Sequence, residues 1–131
     1  MDLFFTCRGH PNILASHANT LEFTKDQEVT PQGDCIVGAG ADYDLEILKE
    51  FASRGGRAKV TMSVDDEVFV VEFERNPRFE DKDEIVIRLS DFLSTRTLGI
   101  RADHGARDIP QVMREKLQDP SKTIEVRFSD A

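Results

Sequence analysis

The sequence predicts an α+β fold, in which a strand-rich mixed sheet or open barrel carries two helices. Alternation of apolar and polar residues recurs along most of the chain, whereas helical spacing of apolar residues occurs in only two segments. The chain has 131 residues, of which 39% are apolar, and this suits one domain over residues 1–131 with a buried core.

The first half of the chain predicts three strands, a helix and a fourth strand. Alternation typical of half-buried strands gives the first two, and a nearly continuous apolar run predicts a third strand covered on both faces. Asp42 or Asp44 is the expected N-cap of the helix, and Gly55-Gly56 its expected end. The segments are 3–8, 20–24, 35–41, the helix 45–52 and 59–64.

The second half repeats this order. Asp65-Asp66 predicts a hairpin turn into its first strand, and Asp108 with Pro110 predicts the start of the second helix. The apolar stripe expected on that helix is Ile109, Val112, Met113 and Leu117. The strands are 67–74, 85–89, 98–102 and 124–128.

Two short segments resemble each other at corresponding places in the two halves. Val37 to Asp42 and Leu98 to Asp103 both have the pattern aliphatic-Gly-x-x-Ala-Asp, and both follow a strand that leads to a helix. We therefore predict an internal duplication into two related βββαβ halves, about 1–65 and 66–131. Gly38 is expected to allow close packing, or the close approach of a ligand.

Charge and composition exclude several classes of protein. The net charge of −8 argues against binding nucleic acid by charge alone, although a local basic pocket stays open. No apolar run is long enough for a membrane span, and the chain does not open like a signal peptide. Two cysteines favour a reducing cytoplasm. The sequence predicts no particular oligomeric state.

The long connection between the first two strands holds two of the three histidines, His10 and His17. Connections of about a dozen residues are often functional. A short helix starting at Pro11 would place both rings on one side. If the loop folds back over the third strand, the histidines would meet three further residues that can bind protons or ligands, Glu22, Asp34 and Cys35.

Three interpretations of this loop stay open. His10 and His17 could hold a divalent metal such as zinc with Cys35, Asp34 or Glu22, although zinc is not favoured. A metal-free site would use His10 or His17 as the acid–base group, oriented by Asp34. Alternatively, both histidines serve turns and the thiols pack in the core. In the metal-free site, Arg8 and Asn12 would bind the ligand.

Three arginines form a second candidate group, Arg88, Arg96 and Arg101. Arg88 and Arg101 lie on the polar sides of their predicted strands, which more often marks a solvated face. Arginine nevertheless binds phosphate or carboxylate with two parallel hydrogen bonds. In an acidic protein these residues are the expected anion pocket, and Glu22 is expected to face the same ligand.

Several segments together resemble a conserved archaeal family of uncharacterised proteins, a domain of unknown function. The most specific are Arg8-Gly9-His10 and Gly33-Asp34-Cys35-Ile36, and the stretch Arg96-Thr97-Leu98 fits the same family. The resemblance spans most of the chain. It implies an archaeal, intracellular protein of one domain, and it supplies no activity or cofactor.

The residues thus favour a small-molecule site for an anionic ligand, which could be catalytic or only bind. The catalytic candidates are His10, His17 and Asp34. The rival is a non-catalytic module that binds a protein or RNA partner. Nearly all nine phenylalanines lie at or beside expected core positions, which weakens RNA binding because that needs exposed aromatic rings.

Overall fold

Residues 2–131, the part of the chain that the computed structural model describes, form two successive βββαβ units. This confirms the predicted α+β fold and its order of elements. The first unit contains β1 (Leu3–Arg8), β2 (Thr20–Thr24), β3 (Ile36–Gly38), α1 (Leu45–Ser53) and β4 (Arg57–Val64). The second contains β5 (Glu67–Arg75), β6 (Glu84–Arg88), β7 (Thr97–Ile100), α2 (Gln111–Leu117) and β8 (Thr123–Asp130).

The eight described strands form one mixed sheet in the order β1-β8-β4-β5-β7-β6-β2-β3. The pairs β2–β3 and β6–β7 are parallel and the other neighbours are antiparallel. Beyond the end of β3, Ala39 forms an antiparallel bridge with Arg8 of β1, through backbone hydrogen bonds of 2.7 and 2.9 Å. The two edges of the sheet therefore meet, and the sheet closes into a barrel.

The two units pair in equivalent ways. Exchanging them leaves the strand order and every pairing direction of the barrel unchanged. Both parallel pairs shift register at the same point, between Glu22 and Phe23 in one unit and between Val86 and Ile87 in the other. The internal duplication stays a prediction, and this repeated pairing supports it.

Aromatic rings fill the barrel interior. The Phe5 ring lies 5.6 Å from that of Phe23 and 5.9 Å from that of Phe128, and Phe51 of α1 packs against Phe128. Glycine is needed where strands come close to this core: a Cβ atom on Gly38 would lie 2.3 Å from the buried Cys7 sulfur. Close packing is therefore the role that the structure gives to Gly38.

The helices differ from the sequence prediction in detail. Asp44 caps α1 by accepting a hydrogen bond from the Ile47 amide, and Gly55 follows the helix with φ +61°. Asp108 belongs to a 3-10 turn before α2, so α2 begins only after Pro110. The expectation that Val112 lies on the buried stripe was wrong, because its side chain is 58% exposed. None of the described helices is long and apolar enough to cross a membrane.

Candidate functional site

The loop between β1 and β2 does fold back toward the segment before β3. The amides of Ser16 and His17 both donate to the carbonyl oxygen of Asp34, at 2.9 and 3.2 Å. The predicted short helix between residues 12 and 18 was wrong, since this stretch is irregular and Ala15 has φ +48°. The backbone of the loop therefore approaches the segment before β3 as expected, but no helical turn places the two histidines on one side.

Each imidazole of the loop is engaged in a local contact. The His10 Nδ1 atom accepts a hydrogen bond from the Asn12 amide, and its Nε2 atom lies 3.5 Å from a Glu28 carboxylate oxygen. The His17 Nδ1 atom accepts from the Asn19 amide. Among the described residues, no hydrogen bond or ion pair joins either ring to the Asp34 side chain.

The metal ligands proposed from the sequence are not brought together. Within residues 2–131, no group of three or more His, Cys, Asp or Glu side chains could hold a metal ion. His10, His17 and Cys35 therefore do not form a coordination site in this structure. Cys35 itself lies in a turn, because β3 begins at Ile36, one residue later than the strand expected over 35–41.

Three residues that were predicted to bind the ligand, Arg8, Asn12 and Arg101, make other contacts. Arg8 is exposed on β1, and its backbone closes the barrel. Asn12 donates to the Val29 carbonyl and holds the loop. Arg101 forms an ion pair with Glu74 at 2.7 Å. The polar groups of these three residues therefore contact other parts of the chain, within the barrel or on its surface.

Five other side chains do converge, on the outer side of β2 and β6. We call them the carboxyl–arginine cluster: Glu22, Cys35, Glu84, Arg88 and Arg96. The register of the two strands explains their proximity. Glu22 pairs with Val86, so Glu84 and Arg88 lie diagonally on either side of it on the same face. The Glu22 amide also donates to the Cys35 carbonyl, at 2.9 Å.

Glu22 is the buried acid of the cluster. Only 7% of the residue is exposed, and the Cys35 thiol donates to its Oε1 atom at 3.6 Å. Burial raises the pKa of Glu22 to about 7, and a hydrogen bond with Glu84 and the charge of that residue act in the same direction. The Cys35 hydrogen bond and the charge of Arg96 act in the opposite direction. Glu22 can therefore gain or lose a proton near neutral pH.

The two arginines of the cluster differ in their partners. Arg96 donates to the Oε1 atom of Glu84 at 2.9 Å. Arg88 donates through Nε to the Thr97 hydroxyl at 3.1 Å, and its guanidinium group lies over the Phe92 ring. The structure shows no carboxylate paired with Arg88 among the described residues. Within residues 2–131, no hydrogen bond from its terminal nitrogens is found.

The Cys35 thiol donates a hydrogen bond to Glu22, and its surroundings disfavour the thiolate. Burial raises its pKa to about 12, and the negative charges of Glu22 and Asp34 add to the effect. A neutral thiol is the weak form for attack on a substrate or for binding a metal. Cys35 therefore holds Glu22 in place.

Glu84 was not among the site residues predicted from the sequence. It closes an acidic run, 80–84, of a kind that usually lies on a solvated surface. The alternation of Glu84, Val86 and Arg88 was the signal that could have placed Glu84 on one face with Arg88. Seven of the nine phenylalanines are buried as expected, whereas Phe4 is 71% exposed and Phe92 is 59% exposed.

Four grooves of the described barrel are lined by no residue of the cluster. One of them, of about 480 Å³, lies on β1 and β8. It is lined by Phe4, Phe5, Thr6, Asp42, Glu125 and Val126. None of the residues proposed from the sequence as site residues lines it.

Comparison with known proteins agrees with the resemblance found in the sequence. Residues 5–130 match the model of a family described as a domain of unknown function, DUF371. The chain belongs to this family. It is also 32% identical over 130 residues to an uncharacterised protein of Methanocaldococcus jannaschii, an alignment that covers 95% of this chain and 96% of the relative. The DUF371 match runs from β1 to β8 and so includes the whole carboxyl–arginine cluster.

Proposed function

We propose that this DUF371 protein binds a small anionic molecule at the carboxyl–arginine cluster. The observation that carries the proposal is Arg88, which is oriented by Thr97 and Phe92 and has no carboxylate partner among the described residues. An arginine held in this way has lost part of its conformational freedom before a ligand arrives. It can bind a carboxylate or phosphate group through its free nitrogens.

The electrostatics of the cluster favour an anion beside Arg88. Burial lowers the pKa of Arg88 and the positive charge of Arg96 lowers it further, whereas the charges of Cys35, Glu22 and Glu84 raise it. The two guanidinium groups repel each other, and of the two only Arg96 has a carboxylate partner at hydrogen-bond distance among the described residues. A negative group bound beside both arginines would relieve this repulsion.

Sulfate and malonate are suitable probes, because each is a small anion whose oxygen atoms can accept hydrogen bonds from arginine, and neither carries other polar groups. Isothermal titration calorimetry should detect binding to the wild-type protein. Arg88→Gln should weaken binding by about tenfold or more. Arg127→Gln is a matched control, since Arg127 is an exposed arginine on β8 that pairs with Asp2. Equal affinity of Arg88→Gln and wild type, or no binding of either probe, would contradict the proposal.

An RNA-binding module is the second candidate, and the exposure of Phe92 favours it. An accessible aromatic ring against an arginine is a surface on which single-stranded bases stack. The net charge of −8 opposes this candidate. Fluorescence anisotropy with labelled oligouridine tests it: binding that is lost in Phe92→Ser supports RNA recognition, and no binding at low salt excludes it.

A further inference from the structure

We infer that anion binding at the carboxyl–arginine cluster is coupled to the uptake of a proton by the carboxyl pair Glu22–Glu84. The inference rests on the proposed function and adds the class of ligand. The ligand is an oxyanion whose oxygen accepts a hydrogen bond from a carboxylic acid while Arg88 neutralises its charge. Binding of the anion then favours protonation of the carboxyl pair, and protonation of the pair favours binding of the anion.

The surroundings of Glu22 favour a proton in this pair. Glu22 is buried, and the register of β2 and β6 places Glu84 diagonally beside it on the same face. Two ionised carboxylates in a close, partly buried pair repel each other, so a proton on one of them stabilises the pair. The Cys35 thiol already donates to Glu22 and, with its raised pKa of about 12, stays neutral near pH 7.

The charges that face Glu22 come from three neighbouring elements. Glu84 and Arg88 lie on β6, Arg96 precedes β7, and Cys35 precedes β3 with Asp34 beside it. When Glu22 is protonated, Glu84 compensates Arg96 and the charge of Arg88 is left for a ligand. When Glu22 is ionised, its negative charge lies close to the position proposed for the anion and repels it.

Linkage gives the sign of the effect. A bound anion disfavours the ionised form of Glu22 and therefore raises its pKa above the ligand-free value of about 7. By reciprocity, protonation of Glu22 raises the affinity for the anion. Affinity should be highest below pH 7 and should fall as the pH rises above it, by at most about tenfold per pH unit.

Sulfate is the appropriate probe, since it does not titrate in this range. Calorimetric titrations of the wild-type protein at pH 7.5, in buffers that differ in ionisation enthalpy, should show uptake of a fraction of one proton for each sulfate bound. Titrations at pH 5.5 and 8.5 should show affinity at least about tenfold weaker at the higher pH.

Two variants localise the coupling. Glu22→Gln keeps the shape of the protonated acid, so its sulfate affinity should not change with pH and its proton uptake should vanish. Glu125→Gln makes the same change at an exposed position on β8 and should keep the wild-type behaviour. If Glu22→Gln does not fold, the wild-type titrations decide alone.

The possible failures are distinguishable. Sulfate binding to the wild-type protein with no proton uptake and constant affinity from pH 5.5 to 8.5 would overturn the coupling and leave the anion site standing. A pH dependence that persists in Glu22→Gln would also overturn it. Absence of sulfate binding at every pH would overturn the proposed function itself.

Discussion

Asp42 and Asp103 make the same pair of backbone contacts in the two halves of the barrel. The Asp42 Oδ1 atom accepts a hydrogen bond from the Thr6 amide, and the Asp42 amide donates to the Thr6 carbonyl. The Asp103 Oδ1 atom accepts from the Glu72 amide, and the Asp103 amide donates to the Glu72 carbonyl. Each carboxylate thus takes the place of a strand partner where the sheet ends its regular pairing.

We expect these two aspartates to contribute similar stability. Asp42→Ala and Asp103→Ala should each lower the free energy of unfolding by about 1–2 kcal/mol, because each leaves a strand amide without its charged acceptor. The two sites share no contact, so the double variant should show the sum. Urea unfolding of the two single variants and the double variant measures these changes in the free energy of unfolding.

Asp91→Ala is the control for this comparison. Asp91 is exposed and lies 3.9 Å from Arg101, so its loss should change stability by less than about 0.5 kcal/mol. Strongly unequal effects of Asp42→Ala and Asp103→Ala would contradict the equivalence of the two halves.

The buried carboxyl of Glu22 should make stability depend on pH. Its pKa is raised in the folded state from 4.5 to about 7, so the folded protein binds its proton more tightly than the unfolded chain. The stabilisation is complete below pH 4.5 and is lost as the pH rises through 7. The total loss is about 3 kcal/mol.

Glu22→Gln removes this titrating group. As the pH rises from 4.5 to 8, the unfolding free energy of the variant should increase by about 3 kcal/mol relative to that of wild type. Guanidinium unfolding at several pH values measures the difference, and Glu125→Gln supplies the profile of an exposed glutamate. Parallel profiles for wild type and Glu22→Gln would show that Glu22 has an ordinary pKa.

Cys35 should alkylate slowly although it is only half-buried. With a pKa of about 12, its thiolate is scarce at pH 8, and reaction with iodoacetamide should be at least about 100-fold slower than that of free cysteine. Glu22→Gln removes the largest nearby charge that opposes the thiolate and should speed the reaction severalfold.

Mass spectrometry assigns the modified residue. Cys7 is 1% exposed, and burial raises its pKa further than that of Cys35, so it should stay unmodified in the folded protein. Rapid alkylation of Cys35 in the wild-type protein would mean that its thiol does not serve mainly as a donor to Glu22.

The contact between Gly38 and Cys7 predicts a coupled pair of substitutions. Gly38→Ala should destabilise the barrel by about 1–3 kcal/mol, because the new methyl group overlaps the Cys7 sulfur. Adding Cys7→Ala should recover part of that loss, since it removes the overlapping atom. A double-mutant cycle in urea measures the coupling energy.

Gly99 provides the control for that cycle. A Cβ atom there would lie 2.5 Å from the Phe73 ring, so Gly99→Ala should destabilise the barrel while Cys7→Ala brings no recovery. If the effects of Gly38→Ala and Cys7→Ala on the free energy of unfolding simply add, other parts of the core move to remove the overlap.

Most of the fold followed from local patterns, because alternation along a half-buried strand is visible in the residues themselves. Leu3, Phe5 and Cys7 face the interior as that pattern predicts. The closure between Arg8 and Ala39 could not be predicted in this way. Which distant edges of a sheet meet depends on twist and on the paths of the connections, which no short window of sequence contains.

The candidate site was predicted only in part, for a similar reason. Glu22, Cys35, Arg88 and Arg96, which the structure brings together, were all among the candidates, but Glu22 and Cys35 were expected to meet histidines. Its actual partner, Glu84, depends on the pairing of β2 with β6, two strands far apart in the chain. The histidines were chosen as candidates because of their residue type, whereas their rings accept hydrogen bonds within local turns.

The short bridge that joins β1 to the end of β3 also bears on how this chain behaves among copies of itself. A strand at an open edge offers unpaired amides and carbonyls that can recruit a strand from another molecule and start a fibril. Here the bridge between Arg8 and Ala39 pairs the backbone at the point where the two edges of the described sheet meet. At that point the backbone is not open to the addition of a strand from another molecule.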